Sequence, residues 1–188
     1  DTFTFTSEQI VVDETRVAVS YENLPRELHE GDSILLNNGL VAFRVLSTTD
    51  TDILTEVVIG GEISNRKSMA FPGKVLSQPF LSEQDKADLL VGIENDVDFV
   101  ACSFVASPDN LNDIRTFLHA NGGDEIDLIA KIENSAGVEN IEAIIDASDG
   151  IMIARGDMGV EIPFERLPAI QKHIITTCRY RGKRTITA

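Results

Sequence analysis

The runs Lys131-Ile-Glu133-Asn134 and Asp149-Gly-Ile-Met-Ile-Ala-Arg-Gly-Asp157 hold the side chains best suited to chemistry. Each opens apolar and closes on charge: Leu128-Ile-Ala runs into Lys131 and Glu133, and Ile151-Met-Ile-Ala runs into Arg155 and Asp157. Ligands bind where the strands of a parallel sheet end. One ammonium and two carboxylates meeting there suit a divalent cation and a phosphorylated substrate. Glu133 and Asp157 are the candidate metal ligands, because magnesium takes one or two protein carboxylates and completes its shell with water and substrate oxygens. Either carboxylate alone would read as a strand-end ion pair. Two at successive strand ends, with Lys131 two residues from Glu133, favour the metal.

Lys131 would place a compact positive charge beside a transferring phosphoryl group or a developing enolate. Its bland alternative is a charge partner for Glu133. Gly156 lacks side-chain bulk, so the N–H groups of Gly156 and Asp157 could face an anion if a short helix follows. A tight turn would require the same glycine. Lys67, in Asn65-Arg-Lys67-Ser-Met-Ala-Phe-Pro-Gly73, could reach a nucleotide phosphate from a small domain hinged over a barrel mouth, although hinge lysines are more often simply solvated. His29, His119 and His173 follow no ligand spacing, and no Walker-A or GxGxxG loop occurs.

Two kinds of element must position these groups. Residues 1–70 read as all-β. Thr2-Phe-Thr-Phe-Thr6 alternates, Arg16-Val-Ala-Val-Ser20 is strand-like, and Ser33-Ile-Leu-Leu meets Leu40-Val-Ala-Phe-Arg-Val-Leu across Asn37-Asn38-Gly39, a strong hairpin signal. Ile53-Leu-Thr-Glu-Val-Val-Ile continues a small barrel or sandwich. Phe71-Pro72-Gly73 breaks the chain, and residues 71–188 then alternate helix and strand. Ser82 caps a helix burying Leu89, Leu90 and Ile93, and Val97 to Phe104 is a strand. Ser107-Pro-Asp opens a helix lined by Leu111, Ile114, Phe117 and Leu118. Leu128 to Glu133 is the next strand, followed by a helix with Val138, Ile141, Ile144 and Ile145 inward. Gly150 to Ala154 is a strand, Phe164 to Tyr180 a helix, and Arg184 to Ala188 begins another strand. The fold class expected is α/β: half of a (β/α)8 TIM barrel, leaving two sheet edges unpaired, behind a small all-β, barrel-like lid.

Composition narrows the partners. The 188 residues carry 16 Lys and Arg against 31 Asp and Glu, a formal charge of −15, which disfavours nucleic acid and anionic membranes. Hydrophobic content of 43% supports a core. No apolar run reaches the ~18 residues of a membrane span. Cys102 and Cys178 lie in apolar segments without ligand spacing, as buried thiols of a cytoplasmic protein would. A start at Asp1 and a stop inside a strand suggest a piece of something longer.

The run KIENSAGVENIEAIIDASDGIMIARGDMGVEIPFERLPAIQK, Lys131 to Lys172, resembles the signature region of the pyruvate kinase family. Lys67-Ser-Met-Ala-Phe-Pro-Gly73 resembles its Lys-Gly-Val-Asn-Leu-Pro-Gly segment, and Asp98-Phe-Val-Ala-Cys-Ser-Phe104 the preceding barrel strand. The resemblance covers essentially the whole chain. It implies transfer of phosphate from phosphoenolpyruvate to ADP, giving pyruvate and ATP in glycolysis, by a cytoplasmic homo-oligomer, tetrameric as the intact parent. It also implies that Glu133 and Asp157 bind Mg²⁺ or Mn²⁺ and that Lys131 stabilises the enolate and the transferring phosphoryl group. Ala154, Arg155, Gly156 and Asp157 would surround the substrate, and Lys67 would lie near the nucleotide. K⁺ is expected for the intact enzyme, with its ligands on strands before Asp1; a threonine tied to enolate protonation would follow Ala188. The piece alone is therefore expected to be inactive.

The sequence departs from the family at Asn37-Asn38, where Asp-Asp is usual, at Ser68 and Ala70 for Gly and Asn, and at Ala106 for a common Arg. These bear on lid closure and nucleotide contacts more than on the metal. Two alternatives stand beside this reading. One is an inert folding or interaction module that dimerises through its open edges; the other is a metal-dependent lyase or aldolase acting on a pyruvate-like enolate, which would not need Lys67 or a lid.

Overall fold

The computed structural model describes residues 1–11, 13–64, 67–74 and 76–188. The chain divides into two compact units, Asp1–Leu76 and Ser77–Ala188. The first unit keeps the segment after the Phe71-Pro72-Gly73 break, because Phe71 and Leu76 pack on its core and Lys74 Nζ pairs with Asp32 at 2.7 Å.

In the first unit the alternating segments form β1 (Thr2–Thr6), β2 (Arg16–Ala18), β3 (Ser33–Leu36), β4 (Val41–Thr48), β5 (Asp52–Ile59) and β6 (Met69–Ala70). They make a six-stranded sheet in the order β2-β1-β5-β4-β3-β6, antiparallel except for the β1–β2 pair. The β3–β4 hairpin turns where Asn37-Asn38-Gly39 predicts it, with all three residues at positive φ (51°, 57° and 82°). Phe5, Ile34, Leu36, Val41, Phe43, Val45 and Ile53 fill the core, and the Phe5 and Phe43 rings meet edge-on at 5.0 Å. The sequence does not announce α1 (Leu24–Glu27), a single turn whose Leu24 is buried in that core beside Leu28.

The second unit alternates α2 (Glu83–Glu94), β7 (Phe99–Cys102), α3 (Pro108–Ala120), β8 (Asp127–Ile132), α4 (Ser135–Glu139), α5 (Ile141–Ala147), β9 (Gly150–Ile153), α6 (Arg155–Glu161), a 3-10 turn over Phe164–Arg166, α7 (Leu167–Tyr180) and β10 (Arg184–Thr187). The four strands are all parallel, in the order β10-β9-β8-β7. Cys102, Leu128, Ala130, Ile132, Ile151 and Ile153 alternate along the strands and share one core with Leu111, Ile114, Leu118, Ile144, Ile145 and Ile174 of the helices. Period-two burial on strands and period-3.6 burial on helices thus converge on a single layer.

Three expectations need correction. Leu90 is 40% exposed: Leu89 and Ile93 meet the core, and Leu90, about 100° further round α2, cannot join them. The helix expected after β8 is two short helices that meet at Asn140. The helix expected from Phe164 starts as a 3-10 turn and becomes α only at Leu167, next to Pro168.

Candidate functional site

Strand register decides which side chains share the end of the sheet. Cys102 pairs with Ala130, and Ile132 with Ile153. Ser103 therefore leaves β7 beside Lys131 of β8, and Glu133 leaves β8 beside Ala154 after β9. Alternation turns Cys102, Ala130 and Ile132 to the helix-covered core and sends Ser103, Lys131 and Glu133 to the opposite face.

There Lys131 Nζ donates to Ser103 Oγ at 2.9 Å and pairs with Glu133 Oε1 at 2.8 Å. The other carboxylate oxygen, Glu133 Oε2, accepts the Phe104 N–H at 2.5 Å. Glu133 is 2% exposed, the one buried acidic or basic side chain among the described residues, and each of its oxygens has a donor. A buried carboxylate without such partners would cost far more than it could return. Phe104 donates to Glu133 at φ 55°, a left-handed backbone costly for an aromatic residue, while the residue as a whole stays 55% exposed.

The turn after β8 is fixed by Asn134, whose Oδ1 caps α4 by accepting the Gly137 N–H at 2.7 Å. Gly137 is required by contact: a Cβ there would lie 2.5 Å from the Val105 carbonyl oxygen. After β9, α6 begins at Arg155. The Arg155 N–H and Nε both donate to the Ala188 carbonyl, at 3.2 and 3.0 Å. Gly156 and Asp157 fall in the first turn, where N–H groups have no acceptor within the helix. Nothing lies within 4 Å of a Cβ built at Gly156 and its φ is negative, so no tight turn demands this glycine.

The structure thus joins Lys131 to Glu133 and sets Ala154, Arg155, Gly156 and Asp157 at the same end of the adjacent strand. Asp157 is exposed and has no hydrogen-bond or ion-pair partner among the described residues. No group of three or more His, Cys, Asp or Glu side chains able to hold a metal occurs among them. Lys67 is exposed and belongs to the first unit; Asn65 and Arg66 beside it lie outside the described residues. Sequence reasoning passed over Ser103, Phe104 and Gly137. The Cys-Ser-Phe strand end and the Asn-x-x-Gly spacing were the only signals for them.

At the opposite end of the sheet Arg184 crosses side-chain-free Gly150 to pair with Asp127 at 2.8 Å and to lie 5.3 Å from the centroid of the Phe99 ring. Charge there braces three strands and leaves the carboxyl ends for ligands.

The family model described as "Pyruvate kinase, barrel domain" matches residues 1–188. Pyruvate kinase of Clostridium perfringens is 44% identical over 189 residues, covering 100% of this chain and 40% of its own length. Pyruvate kinase of Thermotoga maritima is 40% identical over 186 residues, covering 99% of this chain and 40% of its own. Among solved structures, a pyruvate kinase from Cryptosporidium parvum superposes with a TM-score of 0.91 at 32% identity, covering 99% of this chain and 39% of that one. The chain spans about 40% of the length of these relatives, and its four parallel strands with their helices are part of a (β/α)8 barrel.

Proposed function

The chain belongs to the pyruvate kinase family, and from that premise we propose that it supplies the lysine and metal part of a site moving phosphate from phosphoenolpyruvate to ADP, giving pyruvate and ATP. The observation that carries this reading is the Lys131 ammonium held between Ser103 and buried Glu133 where β8 ends. Phosphoryl transfer asks a protein mainly for positioning and charge stabilisation. An ammonium has three N–H donors. Two are engaged here, so the third remains for an oxygen of the transferring phosphoryl group or of the enolate.

Glu133 and Asp157 are assigned to Mg²⁺ or Mn²⁺. Their chemistry fits: a carboxylate offers about four acceptor positions, Glu133 uses one on each oxygen, and Asp157 has no protein partner among the described residues. Two carboxylates, water and substrate oxygens suit magnesium. When bound, the cation supplies Lewis-acid stabilisation of negative oxygens. Ala154, Arg155 and Gly156 are assigned to the substrate carboxylate, which the N–H groups at the start of α6 and the Arg155 charge would attract. Residues 1–70 are assigned the part of a lid that brings Lys67 to the nucleotide, and residues 71–188 the catalytic part.

K⁺ dependence, homo-oligomerisation and a cytoplasmic location complete the proposal for the whole protein. No helix among the described residues is long and apolar enough to cross a membrane. Titration of this chain with Mn²⁺, followed by water-proton relaxation with and without phosphoenolpyruvate, tests the assignment. Enhanced relaxation at stoichiometric metal, altered by phosphoenolpyruvate, is expected. A folded chain with no specific Mn²⁺ binding would overturn it in favour of an inert module.

A further inference from the structure

We infer that Ser103 is the positioning residue that keeps the Lys131 ammonium in place independently of Glu133; the inference rests on the phosphotransfer reading above. Lys131 has two partners of different kinds. Glu133 Oε1, at 2.8 Å, attracts it by charge, and Ser103 Oγ, at 2.9 Å, holds it by a hydrogen bond from the turn that follows β7.

The first partner is compromised by its own second duty. A carboxylate that shares its charge with a divalent cation attracts a neighbouring ammonium less, and the cation repels that ammonium outright. A lysine tethered by Glu133 alone would be released on its flexible four-carbon stem as the metal arrived. The hydroxyl of Ser103 carries no charge, so its bond survives metal binding. With a cation bound, the substrate would still meet the ammonium in its place.

The turn that presents Ser103 is built at a cost. Phe104, the next residue, sits at φ 55°, and its peptide is gripped at both ends. Its N–H donates to Glu133 Oε2 at 2.5 Å, and its carbonyl accepts Asn134 Nδ2 at 3.4 Å. A residue so exposed does not repay a left-handed backbone by its burial. The return is the placement of one N–H on Glu133 and of the preceding hydroxyl on Lys131, and two residues of one turn therefore hold both members of the pair.

The test compares the chain with Ser103→Ala and Ser103→Thr. In the ligand-free state, with Glu133→Gln removing the charged partner, the two Hε protons of Lys131 should give separate NMR signals beside Ser103 or Ser103→Thr, and merge beside Ser103→Ala as the ammonium becomes mobile. Separate signals in the Glu133→Gln chain carrying Ser103→Ala, or merged signals in Glu133→Gln alone, would overturn the inference whatever the chain binds. In the Mn²⁺-loaded state Ser103→Ala should bind phosphoenolpyruvate about tenfold more weakly, as loss of one charged hydrogen bond predicts, with Mn²⁺ affinity unchanged and phosphoenolpyruvate affinity restored by Ser103→Thr. Equal weakening in Ser103→Thr, or a parallel loss of Mn²⁺, would assign Ser103 a merely structural part and also overturn it. Absence of Mn²⁺ binding in the parent sinks the phosphotransfer reading and leaves the ligand-free comparison to decide on Ser103.

Discussion

Asp149 is bound to Leu128 twice. Its amide N–H donates to the Leu128 carbonyl at 3.0 Å, and its carboxylate accepts the Leu128 N–H at 2.8 Å. The same carboxylate pairs with Arg115 Nη2 at 2.5 Å, while Lys183 Nζ donates to the neighbouring Ser148 carbonyl. The two Leu128 bonds fasten the start of β9 to the start of β8. The register so set is what brings Glu133 level with Ala154 at the far end of the two strands.

Replacing Asp149 by Ala should therefore cost about 1–3 kcal/mol, the usual penalty for stranding a partly buried donor. Partial burial pushes the Asp149 carboxyl up, but the Leu128 N–H and the Arg115 and Lys183 charges outweigh it and hold it below the ordinary carboxylate value. A depressed folded value means that the contribution is complete above the unfolded pKa and is lost as pH falls through the folded one. Melting temperature should thus fall below about pH 4, and Asp149→Asn should make that acid limb shallower. An identical limb in the variant would show that Asp149 does not drive it.

Gly137 and Gly156 make opposite predictions. Both lie in helices, where Ala gains about 1 kcal/mol over Gly. At Gly137 the new Cβ would sit 2.5 Å from backbone oxygen of Val105, and overpacking of that kind costs about 1–3 kcal/mol. Gly137→Ala should be destabilising on balance. Gly156→Ala meets open space and should raise the urea midpoint slightly, so any weakening of phosphoenolpyruvate binding in it is functional. A Gly137→Ala chain as stable as the parent would mean that the α4 turn can retreat from Val105.

Much of this was legible because burial repeats with the period of each element. β1 announced itself by alternation, β3, β4 and β5 as short apolar runs, and the β3–β4 turn by Asn37-Asn38-Gly39, whose residues tolerate positive φ. Lys131 and Glu133 were legible as charge closing an apolar strand. What escaped depended on tertiary contact. Phe104 has no local reason to adopt a left-handed backbone; only Glu133, 29 residues on, supplies one. Ser103 is a common residue whose neighbour across the sheet is fixed by register, not by sequence. Leu90 failed because its helix buries a narrower stripe than its apolar residues suggest.

Burial should silence both thiols. It pushes the Cys102 thiol up to about 12, with Arg115 opposing only weakly, and raises that of Cys178 as well. At pH 8 neither should react with a disulfide reagent in the native chain, and both should react once urea unfolds the second unit. Prompt release of one equivalent from the folded protein would contradict the packing of β7 or α7.

Glu133 and Asp157 are assigned the same metal but sit in different surroundings, and substitution should separate binding from folding. Glu133→Gln breaks a buried ion pair and turns an acceptor toward donors it can only half satisfy. It should lower Mn²⁺ affinity severely and also cost about 3 kcal/mol of stability. Asp157→Asn alters an exposed side chain without a protein partner among the described residues, so Mn²⁺ affinity should fall with the melting temperature unmoved. Lys131→Met removes the ammonium without touching a proposed metal ligand, so Mn²⁺ affinity should stay near that of the parent while phosphoenolpyruvate binding drops. Relaxation titrations and thermal melts on the three variants measure both axes. If Asp157→Asn leaves Mn²⁺ affinity intact, Asp157 is not a ligand and the metal must lie on Glu133 and substrate oxygens alone.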